Sequence, residues 1–250
     1  MGGTRQGAEV THHRSVPRLM RHRSASPRTR TLAFEDGSRA EVQPLLPEVP
    51  PASSFYVRVV KPGIDRVAAA VLLLVMLPLV LVVSLIVLLA LGRPVLYRQW
   101  RVGQGGQAFR VWKFRTMLPD RRMADRPVPV DRRVCHKRQD DPRHTRVGTV
   151  LRAWRLDELP QLVNILGGSM SLVGPRPELV EVVSRYQPWQ HRRHAVKPGL
   201  TGLWQVSMAN SGPMHENTHV DLDYINTIGL KTDMRILART VGCVLSRTGS

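Results

Sequence analysis

The sequence predicts an α-rich α+β fold: a membrane re-entrant helix–break–helix followed by a small cytoplasmic domain with a minor β-hairpin. Three observations carry this reading. Residues 67–91 form an uncharged, almost wholly apolar run of 25 residues, with Pro78 inside it. Two strand-like segments follow, on either side of a glycine-rich turn. Beyond residue 145 the apolar positions recur at helical spacing. The predicted organisation is therefore a disordered basic tail (1–55), a membrane hairpin (56–94) and a cytoplasmic domain (95–250).

The first 55 residues lack a long apolar run and are rich in Arg, Pro, Ser and His. They read as a disordered tail with no cleavable signal peptide. Net charge is +18, unevenly spread: +4 over residues 1–60, +11 over 61–150 and +3 over 151–250. The excess thus gathers around and just after the apolar run. Basic residues there are attracted to anionic lipid, at about 1 kcal/mol each near the surface, and can gather phosphorylated substrates. Nucleic acid is not an expected partner, because aromatic residues make up only 5% of the chain and no base-stacking platform or groove-reading motif appears. Cys135 and Cys243 lie far apart and in no metal-ligand spacing, which fits a reducing compartment without a disulfide framework.

Pro62 and Gly63 mark a turn before the apolar helix. A straight helix needs about 20 apolar residues to cross a hydrocarbon core of roughly 30 Å. Broken at Pro78, the run gives pieces of 11 and 13 residues, neither long enough. Lys61 and Arg66 precede it, and Arg93, Arg98 and Arg101 follow it. Cytoplasmic flanks carry the Lys/Arg excess, so both ends read as cytoplasmic and Pro78 as the membrane break. A transmembrane helix kinked by proline is the competing reading.

The helix exits at Gly92, Arg93 and Pro94. PVLYRQWRVG and QAFRVWKFRTM then flank Gly103, Gly105 and Gly106, predicting a β-hairpin. Alternation puts Phe109, Val111, Lys113, Arg115 and Met117 on one strand face. Two cations among apolar residues suit a phosphate or a headgroup layer. Residues 118–143 are charged and carry several prolines, and read as an irregular insert. VGTVLRAWRL, DELPQLVNIL, PELVEVVSRYQPW and the stretch 220–245 read as helices, with the second starting at Asp157.

Asp157 and Glu158, in RLDELPQL, are the most suggestive pair. Aspartate before a helix is a good N-cap, and Pro160 is tolerated in a first turn. A plain helix start is therefore one reading. The other is chemical: a helix N-terminus favours anions, one carboxylate can hold Mg²⁺, and the other can attack phosphorus. A glycoside hydrolase fits poorly, since its two acids must flank a bond at about 5–9.5 Å. Arg152 and Arg155 lie close in sequence, and arginine clamps phosphate oxygens bidentately. Arg176 sits between Pro175 and Pro177, which restrict its backbone. Lys197, before a Pro-Gly turn, is presented in a similar way, with Thr201, Trp204 and Gln205 following. Each of these also has an ordinary reading as a solvated cation or a packed aromatic.

Taken together, KPGIDR, the proline-broken run, the hairpin, DDPRHTRVGTVLRAWRLDELPQLVNILGG, MSLVGPRP and VKPGLTGLWQVS resemble the bacterial sugar transferases. These are polyprenyl-phosphate phosphoglycosyl transferases of the monotopic kind. The resemblance spans residues 61–244. It implies a catalytic cytoplasmic domain on the inner-membrane face that moves a sugar 1-phosphate from a UDP-sugar to polyprenyl (undecaprenyl) phosphate, releasing UMP. It implies Asp157 as nucleophile, Glu158 as the Mg²⁺ ligand and Arg152 as a phosphate-binding residue. Arg176, Lys113 and Arg115 match positions lining the nucleotide and membrane side, and Asp221 and Tyr224 match a late D-x-x-Y element. Other glycan-assembly enzymes are implied as partners; a catalytically inactive scaffold of the same fold is the alternative. Ser169 stands where the family usually has an acid, and Met208 and Ala209 replace a common glycine–arginine pair. Larger members of the family add N-terminal transmembrane helices, which are not expected here.

Overall fold

The computed structural model describes residues 30–33, 39–42, 54–118, 143–207 and 215–246. In the segment expected as a disordered tail, strands β1 (Arg30–Ala33) and β2 (Arg39–Val42) pair antiparallel. The other tail positions, and nearly all of the insert expected over 118–143, lie outside the described residues.

Five residues of wide helical turns (Tyr56–Val60) lead into α1 (Lys61–Leu91), which runs through Pro78 without interruption. The expected division into two helices at Pro78 is therefore not found. Proline removes one backbone donor and crowds the carbonyl four residues back. Apolar surroundings tolerate one such lost bond in an otherwise intact helix. Gly92 ends the helix at φ 71°, its N–H donating to the Leu88 carbonyl at 2.9 Å.

One face of α1 is packed and the rest is open. Ala69, Val83 and Val87 are buried, whereas Leu74 and Leu89 are 72% and 77% exposed. So much contiguous apolar surface is costly in water and marks a membrane or partner face. The helix is long and apolar enough to cross a membrane by length and composition.

The predicted hairpin is present. β3 (Leu96–Val102) and β4 (Ala108–Phe114) pair antiparallel, with Leu96 opposite Phe114 and Val102 opposite Ala108. A two-residue strand, β6 (Glu178–Leu179), adds to the far side of β3, giving the order β4–β3–β6. Cross-strand pairs brace the hairpin: Arg98 lies over the Trp112 ring at 4.0 Å, and Arg110 over Trp100 at 4.7 Å.

α2 (Arg146–Ala153) starts at Thr145, whose hydroxyl oxygen accepts from the Gly148 N–H at 3.0 Å. Gly148 is required for packing, since a Cβ there would sit 1.9 Å from the Thr116 carbonyl oxygen. α3 (Gln161–Leu166) follows, later than expected: Leu156–Glu158 form a 3₁₀ turn, and Pro160 stands immediately before α3. Asp157 is thus not a helix N-cap. The helix expected in PELVEVVSRYQPW shrinks to α4 (Val180–Val183), followed by a 3₁₀ run, Pro188–Ala195. Missing from the sequence reading is a parallel pair, β5 (Ser171–Val173) with β7 (Gly199–Thr201). α5 (Thr218–Asn226) and α6 (Leu230–Leu245) complete the chain as expected.

Of three apolar clusters among the described residues, one joins Val102 of β3 to Val180 and Val183 of α4, and two involve α1. Of these two, one joins Ala69 of α1 to Val111, Leu162, Ile165, Met170, Tyr224 and Ile236. The other joins Val83 and Val87 to Phe114 and Leu151. α1 contributes to both, so its first and last thirds rest on the same body. Polar contacts secure its ends. Lys61 donates to Asp233 of α6 at 2.6 Å, and Arg115 donates to the carbonyls of Leu91, Gly92 and Arg93 at the other end.

Candidate active site

The site forms where the end of β4, the 3₁₀ turn before α3 and the loop between β5 and β6 meet. Asp157 and Glu158 are both buried, at 8% exposure each. Lys113, the penultimate residue of β4, donates to Glu158 Oε1 at 2.6 Å. Arg176, from the proline-flanked loop, donates to the same oxygen at 3.0 Å. Arg152 of α2 hydrogen-bonds Thr116 at 3.1 Å, and its charge acts on Asp157.

The two acids are driven apart electrostatically. Burial pushes Glu158 up, but Arg176 and Lys113 outweigh it and hold this carboxyl well below the ordinary range. Asp157 has no cation bonded to its carboxylate among the described residues. Burial is the largest influence on it; the positive charge of Lys113 opposes, the negative charge of Glu158 adds, and the carboxyl is raised to about 6. Pairs of adjacent titratable groups held at such different values mark functional sites. Burial lowers Lys113 although Glu158 lies beside it, while Glu158 raises Arg176.

The backbone carries strain at this point. Arg155, two residues before Asp157, has φ 55°, the only non-glycine residue at positive φ among the described residues. Such conformations cost about 1–3 kcal/mol and persist only where surrounding contacts impose them. They cluster at functional sites.

Residues 56–247 match the model of a family described as bacterial sugar transferase.

The chain belongs to the bacterial sugar transferase family.

Among similar proteins, the UDP-glucose:undecaprenyl-phosphate glucose-1-phosphate transferase of Caulobacter vibrioides is 40% identical, over 73% of this chain and 68% of its own length. The exopolysaccharide production protein ExoY of Sinorhizobium fredii is 38% identical, over 76% of this chain and 87% of its own. The galactosyl transferase CpsE of Streptococcus agalactiae is 40% identical over 64% of this chain, which spans only 36% of that protein.

Of the expected site residues in this sugar transferase, Asp157, Glu158, Lys113, Arg176 and Arg152 come together. Two do not. β4 ends at Phe114, so Arg115 leaves the strand face and turns to the carbonyls at the end of α1. Lys197 turns instead toward Arg66, the heads of both lying over Gly168. Asp221 and Tyr224 are buried supports: Arg193 Nη2 lies 2.6 Å from Asp221 Oδ2, and the Tyr224 hydroxyl lies 2.8 Å from Asp233 Oδ1. Met208 and Ala209 lie outside the described residues.

Two positioning residues of the sugar transferase, Asn164 and Arg193, escaped the sequence reading, and Ser169 was noted there only as a departure from the family pattern. Asn164 accepts from the Trp112 N–H at 3.0 Å and donates to the Arg110 carbonyl at 2.8 Å, so α3 completes the free edge of β4. Ser169 joins this contact by donating to the Asn164 carbonyl at 3.1 Å. Arg193, fully buried, donates to the Arg176 carbonyl at 2.8 Å and fixes the loop that presents Arg176. A polar residue on an inward helix face was the only available signal for Asn164. HRRH gave none that singles out Arg193.

One carboxylate oxygen of the pair remains open to a cation shared with substrate. Lys113 and Arg176 both contact Glu158 Oε1, which leaves Oε2 without a partner among the described residues. No group of three metal-ligating side chains occurs among them. Mg²⁺ is commonly bound through one or two carboxylates plus phosphates and water rather than by an all-protein cage.

Proposed function

We propose that this transferase moves a sugar 1-phosphate from a UDP-sugar to polyprenyl phosphate on the cytoplasmic face of the inner membrane, releasing UMP and starting a lipid-linked glycan. The Caulobacter relative, a UDP-glucose:undecaprenyl-phosphate glucose-1-phosphate transferase, supports the substrates, and the exopolysaccharide production protein ExoY supports the glycan product. The observation that carries the mechanism is the unequal acid pair. Asp157 is buried and unpaired among the described residues, and burial raises its carboxyl to about 6. Glu158 stays ionised between two cations.

In its ionised form Asp157 attacks the sugar-bearing phosphorus of the UDP-sugar. The P–O bond to UMP breaks, UMP carries away the electron pair, and an acyl phosphate bearing the sugar forms on Asp157. A phosphate oxygen of the polyprenyl carrier then attacks the same phosphorus and expels the Asp157 carboxylate. Two displacements replace one step that would need both substrates at once. Lys113, Arg176 and Arg152 provide fixed positive charge for the phosphoryl oxygens, in a site where such charge requires little reorganisation. Glu158, with Asp157 beside it, would hold Mg²⁺, which when bound neutralises diphosphate oxygens.

Topology is part of the same reading. A spanning helix separates its two ends by the roughly 30 Å hydrocarbon core. Here both ends of α1 are tied to one polar body, through Lys61–Asp233 and Arg115–Leu91. That favours insertion from a single face, with the site at headgroup level, where a lipid phosphate can reach it.

The test is an incubation of detergent-solubilised protein with labelled UDP-sugars, first with and then without polyprenyl phosphate. UMP release with acceptor, and label retained by wild type but not by Asp157→Asn, are expected. Retention by the variant would exclude Asp157 as nucleophile, and no UMP from any UDP-sugar would favour a scaffold.

A further inference from the structure

The acid pair leaves one cationic cluster unused. Arg66 is the last charged residue before the 25-residue apolar run. Lys197 follows the 3₁₀ run Pro188–Ala195 and precedes β7. Their heads converge over Gly168, which has φ 77°: a Cβ built there would lie 2.8 Å from Arg66 Nη2 and 3.7 Å from Lys197 Nζ. Like charges brought this close repel unless an anion sits between them.

The nearby carboxylate does not fill that role. Asp65 is engaged elsewhere, accepting from the Ser171 hydroxyl at 2.6 Å and lying 3.8 Å from Lys61 Nζ. Neither Arg66 nor Lys197 has a hydrogen-bond or ion-pair partner among the described residues. Burial, and then the charge of Arg66, lower Lys197 from its ordinary value, with Asp65 opposing. Cations near a helix C-terminus are often there for the dipole. Here neither donates to a carbonyl of α3 among the described residues.

We propose that Arg66 and Lys197 form a phosphate-binding pair for an anionic lipid headgroup, at the point where α1 enters the membrane. The ligand class follows from place and charge. The pair sits at the boundary of the apolar run, where the abundant anion is a lipid phosphate, and arginine binds phosphate oxygens through its planar fork. This rests on the membrane reading of α1 and not on the phosphosugar chemistry. The pair takes no part in the acid site, where the cations bonded to Glu158 are Lys113 and Arg176.

The full chain, extracted in mild detergent, can be equilibrated with phosphatidylglycerol, phosphatidylcholine or inorganic phosphate and examined by native mass spectrometry and thermal unfolding. Wild type is expected to retain phosphatidylglycerol at least fivefold over phosphatidylcholine. Arg66→Gln and Lys197→Gln should each reduce that preference to twofold or less. Arg66→Lys should keep part of it, and Arg239→Gln, exposed on α6, all of it. Equal preference in wild type and both glutamine variants would overturn the proposal. So would stabilisation by inorganic phosphate as large as that by the lipid, or an equal loss of stability in the variants without lipid. UMP release measured on the same samples separates the two readings: an intact lipid preference without UMP release removes only the transferase proposal.

Discussion

At the scale of single residues, the informative contrast is between two neighbouring carboxyls with opposite shifts. Asp157 is raised to about 6, first by burial. The folded chain therefore binds that proton more tightly than the unfolded chain does, and stability falls as pH rises from about 4 to about 6. Above that, the folded state carries an ionised carboxylate at a cost of up to ~3 kcal/mol. Asp157→Asn should remove this cost. Its unfolding temperature should exceed that of wild type by several degrees at pH 7.5, and the gap should close near pH 4 in a pH series of thermal scans. Label transfer to wild type should fall below about pH 6 as Asp157 takes its proton. Arg155 permits a second test. Its positive φ is compatible with glycine but poorly with a β-branched residue. Arg155→Val should lose about 2 kcal/mol more stability than Arg155→Gly in chemical denaturation. The sequence made both acids visible because they sit together in RLDELPQL. It gave no sign of the strained residue before them, because φ is imposed by the packing around Leu156 and α3.

Among the elements, α3 and β4 set the geometry that the acids need. Asn164 supplies both a donor and an acceptor to the open edge of β4, and so fixes the height at which Lys113 meets Glu158. Asn164→Ala would leave two backbone groups without partners, and should cost about 2–4 kcal/mol by denaturant unfolding. UMP release should drop more than tenfold in the same variant, while Asn164→Asp, which keeps the acceptor, should lose less of both. The hairpin itself was legible, since alternation and glycines at the turn are local signals. The β5–β7 pair was not. Three-residue strands lie below the length at which period-2 alternation can be seen, and their parallel pairing joins residues that are distant in sequence. Helix starts were misplaced for a related reason: an Asp before an apolar run reads as a cap, but here the chain makes a 3₁₀ turn first, and that turn carries the acids inward.

For the whole molecule, the governing fact is that one apolar helix is fastened at both ends to one domain. Cysteines placed at residues 54 and 118, in turn, should be modified by a membrane-impermeant reagent from the same side of inverted vesicles. Modification from opposite sides would show that α1 spans. Removing the anchor at the first turn by Asp233→Leu leaves buried Lys61 with Asp65 at 3.8 Å in place of its 2.6 Å partner, and should destabilise the fold by about 3 kcal/mol. Tyr56 and Tyr224, which also bond to Asp233, would lose that partner in the same variant.

The sequence by itself determined the parts: an uncharged 25-residue apolar run with a proline inside it, a hairpin behind it, and two adjacent acids in a family-like block. These rest on composition, short-range periodicity and residue order, all of which are local along the chain. Only the tertiary structure decided the company each part keeps. It brought Lys113, Arg176 and Arg152 to the acids, sent Arg115 to the end of α1 and set Lys197 beside Arg66. It also carried α1 through Pro78 as one helix. Charge effects weaken with distance and are screened over about 10 Å, so which cation tunes which acid depends on how β4, α2, α3 and the Arg176 loop pack, and no spacing within a segment encodes that.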